Sequence, residues 1–519
     1  MLPPTRRIVA AALTLLLAGC AAPVPSPPSN GTPPAASSIG TPTPTLLSLQ
    51  EVAPGLQARQ EVLAPPTARP GGPAVAVTIG SGASTGRLAT TNVGLSFEAS
   101  DLADPRWEPG ASSLTTLVKA LDKPSLRFGG NSVDRRVWWT STGEAPPAWA
   151  EETLTPADLD RLGRFATATD ATVTMVANLG HYDPERAADY AWHARRSLGP
   201  RLVGLSVGNE PNGFNLASQP QYKIRDDTWG PAAFITQLTA YEKAIHARVP
   251  DVPIVGPGAF DAPWWRAFAG AGLPQTRALS QHWYPLWSCD GVKEPRALPT
   301  VANMVSPWLH DRATFIVGMG ITTAAAYGLP LWMEETGPTS CAGTNPTSRT
   351  HAQALWTVDF VLHGAALGVE RMNQHGMIDP CAGGAPMSPV CDTATSRRQS
   401  GRIMGQSNYL ALLQVAELRQ GAFLPVTSSG SDQVFAYAIE DAAGIDLVLV
   451  NLSDPAVAGA SPVSLTTPPG STVTEASLLY AASLEAVNET VLIPWSPVAG
   501  QTAWSVPAGS VLALRLAKA

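Results

Sequence analysis

Two short apolar runs in this chain end in carboxylates. Leu202–Val207 leads into Gly208-Asn209-Glu210-Pro211-Asn212, and Leu331-Trp332-Met333 leads into Glu334-Glu335-Thr336-Gly337. Two carboxyls facing each other across a cleft can open an acetal, one attacking the anomeric carbon while the other protonates the departing oxygen. Arg127, Asn131, Asp134, His282 and His375 also stand at or just past the ends of apolar runs. Each has a packing role open to it: Arg127 can pair with Glu98 or Asp134 in a buried floor, and the two histidines can be hydrogen-bonded wall residues or substrate contacts. His181, Tyr182 and Asp183 could line a subsite, although Asp183-Pro184 also reads as an ordinary helix start. Gly129-Gly130 lacks phosphate-loop spacing and suits close packing or a tight turn. The sequence contains no P-loop, dinucleotide fingerprint or metal-ligand spacing, so no cofactor and no metal is expected.

Carboxylates more than a hundred residues apart meet only if a common framework brings their runs together. From Asn92 onward, β-type runs alternate with helical stretches, the pattern of βα units around a parallel sheet. Eight strands are predicted: Val93–Phe97, Ser125–Phe128, Thr172–Ala177, Leu202–Val207, Pro253–Gly256, Ala278–Trp283, Pro330–Glu334 and Val369–His375. Helices are predicted at Ser112–Leu121, Pro156–Ala168, Pro184–Ser197, Pro231–Arg248, Ala262–Ala269, Thr300–Tyr327, Thr350–Leu367 and Gly405–Leu418. Eight repeats suit an α/β fold of the (β/α)8 TIM barrel kind over residues 92–419, with its active site at the C-terminal strand ends. After about Gln420 short alternating strands replace helices, which predicts a C-terminal β-sandwich over 420–519, with residues 73–91 lending it the strand Val75–Ile79.

On that framework the motifs take on a likeness. An Asn-Glu at the end of strand four and a Glu at the end of strand seven resemble clan A, the retaining barrel glycosidases. Gly94-Leu95-Ser96-Phe97-Glu98, Leu126-Arg127-Phe128-Gly129-Gly130-Asn131-Ser132-Val133-Asp134, Gly208-Asn209-Glu210-Pro211-Asn212, His282-Trp283-Tyr284-Pro285, and Glu335-Thr336-Gly337 followed by Cys341 and Gly343 together resemble glycoside hydrolase family 79, which holds β-glucuronidases and heparanases. The resemblance runs from about residue 75 to the C-terminus. It implies Glu210 as general acid/base, Glu335 as nucleophile, Tyr284 as the hydrogen-bond partner of the nucleophile and Asn209 as a contact of the sugar 2-hydroxyl. Strand alternation would turn Glu334 and Glu335 to opposite sides, and the family spacing of Cys and Gly after the Glu selects Glu335. The implied substrate is a carbohydrate with a β-linked glucuronic acid, whose carboxylate needs a cationic or backbone-amide contact. Lys293 and Arg349 are candidates for that contact or solvated surface charges. Gly337 and Pro338 depart from the family pattern beside the nucleophile. Other clan A activities (β-glucosidase, β-xylosidase, arabinofuranosidase) and a catalytically silent glycan-binding lipoprotein are the alternatives.

Charge narrows the partners. With 34 Lys+Arg against 41 Asp+Glu among 519 residues, the chain lacks the basic field that would hold nucleic acid or a long sulfated polymer, which favours an exo-acting enzyme. Arg6-Arg7, the apolar run Ile8–Leu17 and Leu17-Ala18-Gly19-Cys20 resemble a bacterial lipoprotein signal over 1–19, with Cys20 acylated and the protein exported and held to the envelope membrane. An ordinary secretory signal is the alternative. Residues 20–72 read as a Pro-rich tether, with Leu46–Leu49 and Gln57–Leu63 as short helical stretches. Cys289, Cys341, Cys381 and Cys391 suit two disulfides, with three connectivities open. Trp138, Trp139, Trp264, Trp265 and Trp287, among 15 tryptophans, fall in predicted loops on the strand-end side or just beyond, where a ring can stack on a sugar or simply pack.

Overall fold

Apolar residues on both faces of a strand demand cover on both faces, and the eight runs obtain it by closing on themselves inside a ring of helices. In the computed structural model, which describes residues 47–518 apart from 61–68, 70, 83, 85, 218–219, 382–386, 396–401 and 499, they form a closed parallel barrel. The strands, one to eight, are Gly94–Glu98, Ser125–Gly129, Thr172–Ala177, Leu202–Val207, Ile254–Ala259, Thr276–Trp283, Leu331–Thr336 and Val369–His375. The expected (β/α)8 fold is borne out. Proline opens the helices Pro156–Thr169, Pro184–Leu198, Pro231–Arg248 and Pro307–Ala325 within their first two residues, where its missing N–H has no helical partner to lose. Pro307 also divides the single helix expected over Thr300–Tyr327 into Val301–Met304 and Pro307–Ala325.

The sandwich packs a four-stranded sheet on a seven-stranded one. Val75–Ile79 lies inside the smaller sheet, antiparallel to Val426–Ser429 and parallel to Ser461–Thr466. Its Val75, Val77 and Ile79 join Leu447, Leu449, Leu512 and Leu514 of the larger sheet in one apolar core. Helix His351–Leu367 is buried along almost its whole length, as an apolar helix enclosed on all sides must be. His351 ties it to the sandwich through Thr490 and the Gly509 carbonyl.

The expected leader 1–19, Cys20 and most of the tether lie outside the described residues. The tether is not a tether as far as 72, however. Leu49–Val52 is a helix capped by Ser48, Val52 and Ala53 are fully buried, and the chain then runs beside Val491–Trp495 with backbone hydrogen bonds from Gln57 and Gln60 to Leu492 and Pro494. Few apolar residues suffice here because an existing sheet edge supplies the backbone partners. The cysteines pair as Cys289–Cys341 and Cys381–Cys391.

Candidate active site

Glu210 stands immediately beyond strand four in the left-handed region, at φ 49°. Its N–H donates to the Gly258 carbonyl at 2.9 Å and its own carbonyl accepts from Gly213 at 2.7 Å, so the surrounding turns hold a conformation that costs a non-glycine residue about 1–3 kcal/mol. Its Oε1 lies 3.1 Å from His282 Nδ1, brought by strand six.

Glu335 reaches the mouth by an irregularity in strand seven. Gln281 pairs with Met333 and His282 with Glu335, which leaves Glu334 as an extra residue. This bulge corrects the expectation that alternation separates the two glutamates. Glu334 is buried in the barrel against Arg371 Nε at 3.2 Å and Asn373 Nδ2 at 3.3 Å. Arg371 and Asn373 in turn bond Thr172 and Ser125, residues at strand starts, so this pair belongs to the floor. Glu335 instead accepts from the Tyr284 hydroxyl at 2.8 Å on Oε1 and from Arg127 Nη1 at 2.7 Å on Oε2. Burial alone would raise its pKa, but His282, His375, Arg127 and the Tyr284 hydrogen bond together hold it at about 2. The same burial and the neighbouring carboxylates push the Tyr284 phenol well above its usual value, so it remains a donor.

Arg127 thus pairs with neither Glu98 nor Asp134. It binds Glu335, Ser96 Oγ at 3.0 Å and Asn209 Oδ1 at 2.7 Å. Glu98 accepts the N–H groups of Asn131 and Ser132, and at Gly130 (φ 68°) a Cβ would come within 2.4 Å of that carboxylate, so the glycine is required there. Asp134 is a correction: expected at the substrate, it is wholly buried, with its oxygens filled by the N–H groups of Leu179, Gly180 and Asn209. It fixes the turn that carries Asn209 and Glu210. Asn131 is spoken for as well, its Oδ1 accepting from Arg135. Among the described residues, the buried Asn209 Nδ2, His282 Nε2 and His375 Nδ1 have no hydrogen-bond partner. His375 presents its ring to Tyr284 at 6.4 Å.

Lys293 is exposed. The Arg349 carbonyl accepts from Asn488 and Ser407 near the sandwich, and neither cation contacts the carboxylate pair. Of these five tryptophans, Trp138 and Trp139 lie in the strand Val137–Trp139 and Trp264 and Trp265 in the helix Ala262–Gly270; Trp139, Trp264 and Trp265 are buried, whereas Trp287 is exposed. Ser96 was not legible as a site residue, since a lone serine inside an apolar strand carries no spacing signal.

Glu210, His282 and Glu335 each place one ligand-type atom within 4.8 Å of the others, among the described residues the one cluster with such spacing. A cation would have to compete with the Arg127 guanidinium and the Tyr284 hydroxyl already on the two Glu335 oxygens, so the donor set does not fit a resident metal. What remains is a close carboxyl pair, with one oxygen each of Glu210 and Glu335 within 4.8 Å of the other.

No protein family profile matches the chain. A β-glucuronidase of Neurospora crassa is 26% identical in a 204-residue alignment covering 34% of this chain and 34% of that protein, so the match spans about a third of the relative's length. Among solved structures, a 4-O-α-L-rhamnosyl-β-D-glucuronidase from Fusarium oxysporum superposes with a TM-score of 0.63 at 19% identity over 84% of this chain and 100% of its own. A GH51 arabinofuranosidase from Xanthomonas axonopodis pv. citri gives 0.61 at 15% identity, over 86% and 100%. These likenesses show the fold: a TIM barrel with an added domain.

Proposed function

We propose that the protein is a retaining glycoside hydrolase of the family 79 kind, acting from the chain end on a β-glucuronide. The observation that carries this reading is the carboxylate pair itself, two oxygens within 4.8 Å, one group held anionic by Arg127 and Tyr284 and the other beside His282. Glu335 attacks the anomeric carbon as the glycosidic C–O bond breaks, and Glu210 gives its proton to the leaving oxygen. Glu210 then takes a proton from water, whose oxygen displaces Glu335 and restores both groups. Arg127 and Tyr284 spread the Glu335 charge and orient the attacking lone pair. The unpartnered Asn209 amide suits the sugar 2-hydroxyl. The Neurospora β-glucuronidase supports the glycone. We further propose export through the N-terminal leader and attachment to the envelope membrane at Cys20.

The test is hydrolysis of p-nitrophenyl β-D-glucuronide beside the glucoside, xyloside and α-L-arabinofuranoside, with Glu335→Gln and Glu334→Gln as a matched pair. Turnover confined to the glucuronide and lost in Glu335→Gln supports the reading. Glu334→Gln should retain the chemistry while losing stability, because it strands the buried Arg371 charge at a cost of about 3–5 kcal/mol. Turnover of another glycone overturns the glucuronide assignment, and turnover surviving in Glu335→Gln overturns the nucleophile.

A further inference from the structure

Behind the Glu210 turn stand a buried carboxylate, Asp134, and a half-buried guanidinium, Arg225, joined through backbone. Asp134 accepts from the N–H groups of Leu179 at 2.7 Å and Gly180 at 2.9 Å on Oδ1, and from that of Asn209 at 2.7 Å on Oδ2. Burial pushes its carboxyl upward, and these hydrogen bonds, with Arg135, pull the other way. Arg225, in the segment between strand four and helix Pro231–Arg248, donates from Nη1 to the Gly180 carbonyl and from Nη2 to the Leu179 carbonyl, both at 2.6 Å.

The peptide group between Leu179 and Gly180 is thus held at both ends. Its carbonyl accepts from Arg225 while its N–H donates to Asp134, and a cation on one side of a peptide polarises it toward an anion on the other. Gly180 permits this approach, because a Cβ there would come within 2.1 Å of the Asp134 carbonyl oxygen. Arg225 is itself anchored to the turn it serves. Its N–H and that of Ile224 donate to the Phe214 carbonyl at 3.0 and 2.8 Å. Its guanidinium lies 5.1 Å from the centre of the Trp229 ring, whose indole N–H donates to the Pro211 carbonyl at 2.8 Å. The left-handed Glu210 is therefore bracketed, with Asn209 fixed through Asp134 and Pro211 through Trp229.

We propose that Arg225 is a positioning residue for Glu210, acting through the Leu179–Gly180 peptide and Asp134 on Asn209 and through Trp229 on Pro211. This rests on the hydrolase reading, in which Glu210 protonates the departing oxygen. Glu335 takes its hydrogen bonds from Arg127 and Tyr284 instead. Loss of Arg225 should displace the acid and leave the nucleophile in place, so the damage should grow with the leaving group's need for a proton.

The test compares kcat/KM for 2,4-dinitrophenyl β-D-glucuronide, whose leaving group departs unprotonated, with that for phenyl β-D-glucuronide, whose leaving group needs the proton. The proteins are the unaltered chain, Arg225→Met and Arg225→Lys. Arg225→Met should lose about 10- to 100-fold on the phenyl glycoside and less than about threefold on the dinitrophenyl one. Arg225→Lys, which keeps the charge without the two-pronged donor, should fall in between. Equal losses on both substrates, or undiminished turnover of the phenyl glycoside, would overturn the positioning role. Hydrogen exchange read by mass spectrometry on the same proteins does not depend on turnover. Peptides covering Leu179–Gly180 and Asn209–Glu210 should exchange faster in Arg225→Lys, while those covering Arg127 and Glu335 should not. Unchanged exchange at the first two would overturn the proposal even if Arg225→Met fails to fold. Should the unaltered chain cleave neither glucuronide, the glucuronidase reading fails, and the exchange pattern still decides whether Arg225 holds the turn.

Discussion

Arg127 is the residue on which the most depends, because one guanidinium answers Glu335, Asn209 and Ser96 at once. Arg127→Met should lower kcat/KM for an activated glucuronide by about 100- to 1,000-fold, as removal of a preorganised donor does. The sign of its pH effect is fixed as well. Glu335 works ionised and is held at about 2, so it sets no limit near neutrality; without Arg127 its pKa rises and the acid limb of the pH–rate profile moves upward. An acid limb that stays in place in Arg127→Met would contradict this. The chemical identities at this scale could be read from positions just past strands: Glu210, Glu335, Tyr284 and His282 meet as the motif order implies. Asp134 could not be read that way. Whether a carboxylate near a strand end faces ligand or backbone depends on N–H groups from Leu179, Gly180 and Asn209, which are distant in sequence.

At the scale of elements, the disulfide Cys289–Cys341 spans 52 residues and joins the segments that follow strands six and seven, the two that deliver Tyr284 and Glu335. Closing a loop of that length stabilises the fold by about 4 kcal/mol in the chain-entropy account. The double substitution Cys289→Ser with Cys341→Ser should therefore lower Tm by several degrees and depress kcat more than KM, measured by thermal unfolding and steady-state kinetics. Unaltered kcat would mean that the two segments hold their geometry unaided. Strand cores were legible because burial on both faces leaves an apolar run, and Thr172–Ala177, Leu202–Val207 and Val369–His375 fall where the pattern puts them. The bulge at Glu334 was not, because it depends on pairing with Gln281 and His282 rather than on any local signal. The parallel pair Val137–Trp139 with Glu152–Leu154 was missed for the same reason, being too short to show a period.

For the whole molecule, the contact between barrel and sandwich should govern behaviour in acid. Burial holds His351 down at about 4 against its Gly509 hydrogen bond, and burial followed by His310 does the same for His363. Both are neutral in the fold and charge more readily when unfolded, so their contribution is complete above about pH 6.5 and is lost as pH falls toward 4. His310, raised by Asp359 against burial, works in the opposite direction and offsets part of the loss. For His351 alone the loss at pH 5 is about 2 kcal/mol. Tm should therefore fall between pH 7 and pH 5, and His351→Gln should flatten that slope. The docked stretch Leu49–Gln60 makes a second claim at this scale: a chain lacking 1–72 should have a lower Tm than one lacking 1–46, because it exposes the surface that buries Val52 and Ala53. Equal Tm values would show that the stretch contributes nothing. The place of Val75–Ile79 inside the smaller sheet also sets a timetable. Its partners Val426–Ser429 and Ser461–Thr466 follow roughly 350 residues later, a wait of about 20–70 s at ordinary rates of synthesis. Throughout that interval the newborn chain carries an unpaired, alternating β segment, Val-Ala-Val-Thr-Ile, of the kind that seeks any open sheet edge. Chains halted before residue 426 should be captured by chaperones or precipitate, whereas the full chain, which also supplies Leu512 and Leu514 to that core, need not.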